Sequence, residues 1–397
     1  MLLYADDTVI LAENAEELQL ALNAMSEYCQ QWGLQVNTAK TKIVIFWKNK
    51  RGLRNMPRFH FNDNNLEFVD KFSYLGVKFS YNGKFNDTKK YLIGQARKAM
   101  YSVINKARKL SLPIDMQLSL FDSMIAPILM YGSEVWGIEN VEVIDRFQLK
   151  FCKLVLNLKQ TTPNCMIYGE LGILPISIHI KSRILNYWCS VIMSKHSKIS
   201  NILYRTMFKL YTVDGVNISW INFVHTTLDS LGLSNMWLDQ NVNSPNTFRS
   251  LVNCRLRDQF IQNWHSTLDN TSKCLNYRIY KQEFAIENYF HILSPDLANI
   301  LCKFRSVNHK LPIEKGRYQN IERNLRTCNL CSVNVLGDEF HYIFQCSHFN
   351  TIRKKFIDAY YLNNPNTVKY CQLMNSNDKS TLLKLSLFCK NIMSAFH

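Results

Sequence analysis

Residues 1–13 read MLLYADDTVILAE, and two adjacent acids inside an otherwise apolar run leave few ways to fold. Buried side by side, the two carboxylates would repel each other and each would carry a desolvation cost. The run on both sides of them otherwise reads as a buried, interior strand. The acids are therefore expected at the apex of a strand–turn–strand, where the tight turn breaks the usual up–down alternation. Both carboxylates can then approach one spot, an arrangement suited to divalent cations. On the dipeptide alone, plain turn residues are the competing reading.

The next eighty residues alternate between β and α patterns. Asn14 with Glu17 forms a capping box. Leu18, Ala21, Leu22, Met25, Cys29 and Trp32 follow at helical spacing, and Gly33 stands where a C-terminal cap is expected. Residues 42–46 read as a short strand, and 67–79 as a hairpin or two short strands. From about residue 84 the pattern becomes helical: 87–110, 116–130, 141–158 and 176–195. Residues 200–300 are helical patches interrupted by QNVNSPNT at 240–247, with Trp188, Trp220, Trp237 and Trp264 read as core.

No stretch has the roughly 18 uncharged apolar residues a membrane span requires, and no basic n-region precedes the apolar opening. Twelve cysteines scattered over 397 residues fit a reducing, intracellular setting in the nucleus or cytoplasm, not secretion. Lys and Arg outnumber Asp and Glu by 47 to 31, a surplus that favours polyanionic partners.

The surplus is unevenly spread. Residues 28–62 contain no acid but hold Lys40, Lys42, Lys48, Lys50, Arg51, Arg54 and Arg58. Residues 88–114 also lack acids and hold Lys89, Lys90, Arg97, Lys98, Lys106, Arg108 and Lys109. Arg97 and Arg108, like Lys98 and Lys109, are eleven residues apart, about three helical turns, so each pair shares a face. Such faces suit phosphate contacts that bring affinity without sequence choice; a merely solvated basic face is the plainer reading.

Near the C-terminus, Cys328, Cys331, His341 and Cys346 give C-x2-C, nine residues, H, four residues, C. Two thiolates from one knuckle, with a His and a Cys five apart, can close a tetrahedron around Zn2+. Four protein ligands make the site structural, with no open position for catalysis. His348 is an alternative to Cys346.

Tyr4-Ala5-Asp6-Asp7 followed by Thr8-Val9-Ile10-Leu11 resembles the metal-binding box of reverse transcriptases of non-LTR (LINE-type) retrotransposons. Trp32-Gly33-Leu34, Asn37 and Lys40-Thr41-Lys42 resemble the next palm segment of that family. Phe72-Ser73-Tyr74-Leu75-Gly76 is similar to its primer-grip hairpin. The cysteine–histidine pattern resembles the family's C-terminal Cys-Cys-His-Cys element, and residues 304–318 resemble the segment leading into it, where Arg305, His309, Lys310, Lys315 and Arg317 are expected to touch RNA or DNA. His309 reads equally well as a buried core histidine. Tyr168-Gly169-Glu170-Leu171-Gly172 and Trp188 are similar to the helical region between thumb and zinc element.

The resemblance implies an α+β palm remnant at 1–83, a mainly α-helical thumb at 84–160 and connector at 161–303, and a zinc element with tail at 304–397. It implies RNA-directed DNA polymerase activity with bound Mg2+, on an RNA template and a DNA primer or target. Asp6 would be the direct metal ligand and Asp7 the second acid. Lys40 would stand near the leaving pyrophosphate, with Lys42 competing for that role, and Tyr4 beside the primer end. Tyr74, Leu75 and Gly76 would position primer backbone, and Lys89, Lys90, Arg97, Lys98, Arg108 and Lys109 would follow the duplex. The family's polymerases use a third carboxylate and fingers from chain preceding this box. Since this sequence opens at Met1-Leu2-Leu3, the expectation is a truncated polymerase, inactive alone. A non-catalytic nucleic-acid-binding protein using the basic helices and zinc element is the alternative.

Overall fold

The acid pair lies where a chain must reverse. In the computed structural model, which describes residues 1–47 and 57–396, strand β1 (Leu2–Tyr4) pairs antiparallel with β2 (Asp7–Val9), and Tyr4 lies opposite Asp7. Ala5 takes φ +51°, the left-handed conformation usually left to glycine in such two-residue turns. This sheet has two strands only, and its apolar side chains are exposed: Leu3 is 64% and Tyr4 63% accessible. The expectation of an interior strand is corrected here, because a two-stranded ribbon has no further strand to bury either face.

Helix α1 (Ala15–Gln31) follows. The Asn14 side chain accepts from the Glu17 N–H at 2.9 Å and donates to its carboxylate at 2.8 Å. Its end is a Schellman motif: the Leu34 N–H reaches the Cys29 carbonyl at 2.8 Å, with Gly33 at φ +64°. Both termini agree with the local pattern. Trp32 departs from the expected stripe: as the capping residue it has turned out of the buried face, is 68% accessible and stands beside Tyr28.

The buried face of α1 contributes Leu22 and Cys29 to a core with Ile43, Phe59, Phe61 and Leu66. Among the described residues the strands form four short two-stranded sheets. Besides the first hairpin, β3 (Lys42–Ile43) runs parallel to β6 (Glu67–Phe68), and β4 (His60–Phe61) pairs with β5 (Asn64–Asn65). The regular part of the expected strand 42–46 is thus two residues long. The fourth sheet joins β7 (Lys71–Tyr74) to β8 (Val77–Ser80) through Leu75 and Gly76, both at positive φ.

Helix α2 (Asn86–Lys109) crosses from the first of two compact units, 1–91, into the second, 92–397. The second unit is helical. The expected continuous helix over 116–130 is broken into Ile114–Leu120, a π turn at Phe121–Ile125 and Ala126–Leu129. Pro127 accounts for the break: it has no N–H to donate, and its ring crowds the carbonyl four residues back, so the chain widens just before it. Farther on, Glu142–Val155, Ile176–Ile192 and Pro245–Asn270 carry much of the core. Trp188, Trp237 and Trp264 are buried, as their spacing suggested.

The centre of this unit holds a buried charge network that joins distant parts of the chain. Arg305 pairs with Glu170 at 3.1 Å and Glu287 at 2.8 Å, and donates to the Met374 carbonyl at 2.7 Å. Its guanidinium lies 4.5 Å from the centre of the Tyr280 ring. No helix among the described residues is long and apolar enough to cross a membrane.

Candidate metal centre and nucleic-acid surface

The C-terminal ligands are assembled by local devices. The Cys328 N–H donates to the Val335 carbonyl at 2.8 Å, and the Leu330 N–H points at the Cys328 thiol at 3.4 Å, which forms the knuckle of the C-x2-C. Asp338 caps the short helix Glu339–Phe344 by accepting from the His341 N–H at 3.0 Å, which fixes where His341 leaves the backbone. After that helix the Cys346 N–H returns to the His341 carbonyl at 2.9 Å. Arg353 then seals the turn, donating to the carbonyls of Ile343 at 2.7 Å and Cys346 at 2.6 Å.

These devices bring the four ligand atoms within 4.8 Å of one another. The Cys328 and Cys346 sulfurs are 3.8 Å apart, and the Cys331 sulfur is 3.6 Å from His341 Nε2. Zinc bonds of about 2.3 Å to sulfur and about 2.0 Å to nitrogen give tetrahedral edges of about 3.8 Å (S–S) and about 3.6 Å (S–N). The residues therefore fit a four-coordinate ion. Cys346 is the fourth donor of the cluster; His348 is exposed and stands against Phe349, outside it.

Protonation fits the same role. Burial holds His341 below the ordinary imidazole range, so it is neutral and able to ligate. Burial opposes ionisation of Cys328 as well, but the Tyr342 hydroxyl and the amides of Leu330 and Cys331 outweigh it and lower its thiol. Cys346, buried and close to Cys328, is pushed up to about 12 in the ion-free cluster. A bound cation reverses that preference, since a coordinating thiol gives up its proton.

The acid pair at the other end of the sequence is built differently. Asp6 and Asp7 are exposed, and no third acid, histidine or cysteine joins them in a ligand cluster among the described residues. Lys40 is exposed, its N–H held by Asn37 at 3.1 Å, with no ion pair to its ammonium among the described residues. Lys42, the competing lysine, is engaged by Glu67. Tyr74, Leu75 and Gly76 lie together at the β7–β8 turn.

Of the basic residues, Lys90, Arg97, Lys98, Arg108 and Lys109 are exposed along α2. Lys89 is corrected: it is 4% accessible and has a partner of its own, so it is not available to a phosphate. Arg305 is likewise withdrawn into the buried network. His309 is a buried histidine bonded to Glu339 at 2.8 Å, and Arg317 is paired with Glu314. Lys310 and Lys315 remain exposed, as does Arg58, whereas Lys48, Lys50, Arg51 and Arg54 lie outside the described residues. The sequence reading missed Arg353 and Asp338; the latter was visible as an N-cap three residues before His341, the former carried no local mark.

Residues 1–79 match the family described as reverse transcriptase (RNA-dependent DNA polymerase). A transposon-derived protein of Caenorhabditis elegans is 28% identical over 140 residues, which are 34% of this chain and 47% of that protein. The RNA-directed DNA polymerase from mobile element jockey of Drosophila melanogaster is 26% identical over 156 residues, 37% of this chain and 16% of the polymerase. A Pol polyprotein from retrotransposable element R2 of Popillia japonica is 22% identical over 189 residues, 45% of this chain and 38% of the polyprotein. The chain spans under half the length of each of these relatives. No solved structure matches. A reverse transcriptase match at 1–79 and similarity to proteins named as retrotransposon RNA-directed DNA polymerases thus agree with the resemblance its motifs carry.

Proposed function

We propose that the chain serves RNA-directed DNA synthesis in a non-LTR retrotransposon, with 1–83 as palm, 84–160 as thumb, 161–303 as connector and 304–397 as zinc element and tail. The observation that carries this reading is the exposed Tyr4–Asp7 hairpin, with both carboxylates at its turn, inside the stretch that matches the reverse transcriptase family. Mg2+, when bound at such acids, activates the attacking hydroxyl and neutralises the leaving phosphates. Asp6 and Asp7 are the groups of this chain that would hold it. The exposed Lys40 is the cation best placed to meet a leaving pyrophosphate, because Lys42 is already neutralised. Tyr4, Tyr74, Leu75 and Gly76 would seat the primer, and Zn2+ in the Cys/His cluster would hold the C-terminal element in shape. RNA template and DNA primer or target are the partners.

Two acids with no third beside them among the described residues are a weak cradle for two cations. We therefore expect the 397-residue chain alone to bind primed template without extending it. The second reading, a nucleic-acid-binding protein without catalysis, is favoured by that same shortfall and by the exposed Arg97, Lys98, Arg108 and Lys109. The test is purified chain with a primed RNA template, Mg2+ and labelled nucleotides. Salt-dependent binding without incorporation is the expected result. Incorporation that disappears with Asp6→Ala would overturn the inactivity and leave the polymerase reading stronger. Absence of any binding at low salt would overturn both readings.

A further inference from the structure

The helix Ile199–Thr212 carries a packing row on each of two opposite faces, and among the described residues only one of them is covered. The inner row is Asn201, Tyr204, Phe208 and Tyr211. The Asn201 amide donates to the Val191 carbonyl at 2.8 Å. The Tyr204 hydroxyl accepts from the Trp188 indole at 2.8 Å and donates to the Gln240 side chain at 2.6 Å. Phe208 meets Trp237 edge to face, their ring centres 5.3 Å apart. These contacts fix how the helix is turned. The outer row is Ile199, Leu203, Thr206, Leu210 and Val213, all exposed, with the exposed Ile202 at its edge. At 3.6 residues per turn the five fall within an arc of about 80° and span about 21 Å. Apolar side chains scattered singly over a surface are ordinary, whereas a contiguous row marks a contact.

The outer spacing is four, three, four, three, the seam of a helix pair. It is narrower than the broad apolar face with which a helix lies in a lipid surface, and it carries no aromatic anchor. Charge selects the partner. No acid occurs between Glu170 and Asp214. Arg205 and Lys209, about one turn apart, flank the row on one side, and Lys198 precedes its start. All three are exposed, with no ion pair among the described residues, and Arg205 lies 3.2 Å from the exposed His196 imidazole, which brings no negative charge. A second copy would set the same cations against these, on a chain of net charge +16. A nucleic-acid strand would meet the cations and leave the apolar row wet. We propose that this face docks an amphipathic helix of another protein, apolar at the same 3–4 spacing and carrying carboxylates along one flank. The face lies outside the residues assigned above to metal, primer or duplex.

The test is fluorescence anisotropy of a labelled synthetic peptide of three heptads, with leucine at both seam positions and glutamate at the flanking ones, titrated with the full chain. Saturable binding that weakens with salt is expected. Leu203→Ser with Leu210→Ser leaves the charge unchanged and should weaken binding about tenfold or more, with circular dichroism unaltered because both side chains are exposed. Arg205→Glu with Lys209→Glu should transfer the preference to the same peptide carrying lysine in place of glutamate, a gain that a loosened fold cannot give. No binding of the acidic peptide, binding indifferent to the two serines, or a charge reversal that leaves the preference unchanged would overturn the proposal. The serine variant also checks two other occupants. Sedimentation should show the unaltered chain as a monomer; a dimer that the serines dissolve would give the face to a second copy. Vesicles of phosphatidylcholine and phosphatidylserine that bind the unaltered chain but not the serine variant would give it to a membrane. Either result rejects the helical partner.

Discussion

Two groups of ligand-type residues lie at opposite ends of this sequence, and they are made in opposite ways. The Cys328–Cys346 cluster is enclosed: knuckle, N-cap and Arg353 bring four donors to tetrahedral spacing. The Asp6–Asp7 turn is open: two carboxylates stand in solvent on a ribbon of two short strands. The first arrangement suits an ion kept for structure, whereas the second suits ligands that exchange. Enclosure suits permanence and exposure suits exchange.

Stripping the ion is the strongest way to break this contrast. Structural zinc in small peptides contributes about 10–16 kcal/mol of apparent binding free energy, so chelation, or Cys346→Ser, should unfold the segment from Cys328 to Cys346. Metal analysis should find one zinc per chain, and hydrogen exchange should show that segment losing protection while residues 2–9 keep theirs. A protected segment after complete chelation would mean that the cluster is ordinary core.

The next effect is the chain's own share in that enclosure. Arg305→Ala leaves Glu170 buried without a counter-charge, while Glu287 keeps Lys281, and should cost about 3–5 kcal/mol in urea unfolding of the second unit. Stoichiometric zinc retained in that variant would show that the knuckle sets the cluster without help from the network. Lost zinc would make the two parts one structure.

Smaller still is the dependence on pH. In the ion-free cluster Cys346 keeps its proton at neutral pH, with its thiol at about 12, so loading releases protons. Each thiol that must ionise makes zinc affinity rise about tenfold per pH unit, and acidification frees the metal. His341, held low by burial, stays neutral through this range and competes little. Buffer-dependent heats in calorimetry measure the proton count. A pH-independent affinity would contradict thiolate ligation.

The smallest effect concerns the open turn. Ala5 holds a left-handed conformation that costs a side-chain-bearing residue about 1 kcal/mol, so Ala5→Gly should slow amide exchange in residues 2–9 by a few-fold. Faster exchange would show that the turn is not strained.

What could be read in advance follows the range of each interaction. Asn14, Glu17 and Gly33 act within four residues, so the ends of α1 were legible, and the four zinc ligands fall within nineteen positions. Lys89 and Lys90 are neighbours of identical chemistry, and only tertiary packing decides that one is buried. Glu170 and Arg305 are 135 residues apart, and neither carries a local sign of the other. Arg305 was instead read as a contact to nucleic acid, because a basic residue in a basic segment looks solvated until its partners are known. The division of the helical region into thumb and connector remains a proposal for the same reason.

The guanidinium of Arg353 has a practical corollary for anyone dissecting the molecule. A fragment trimmed immediately after His348 would contain every donor yet lack the latch on the carbonyls of Ile343 and Cys346. Such a peptide should load metal loosely and fray at its tail, so a fragment meant to keep the cluster should extend at least through position 353.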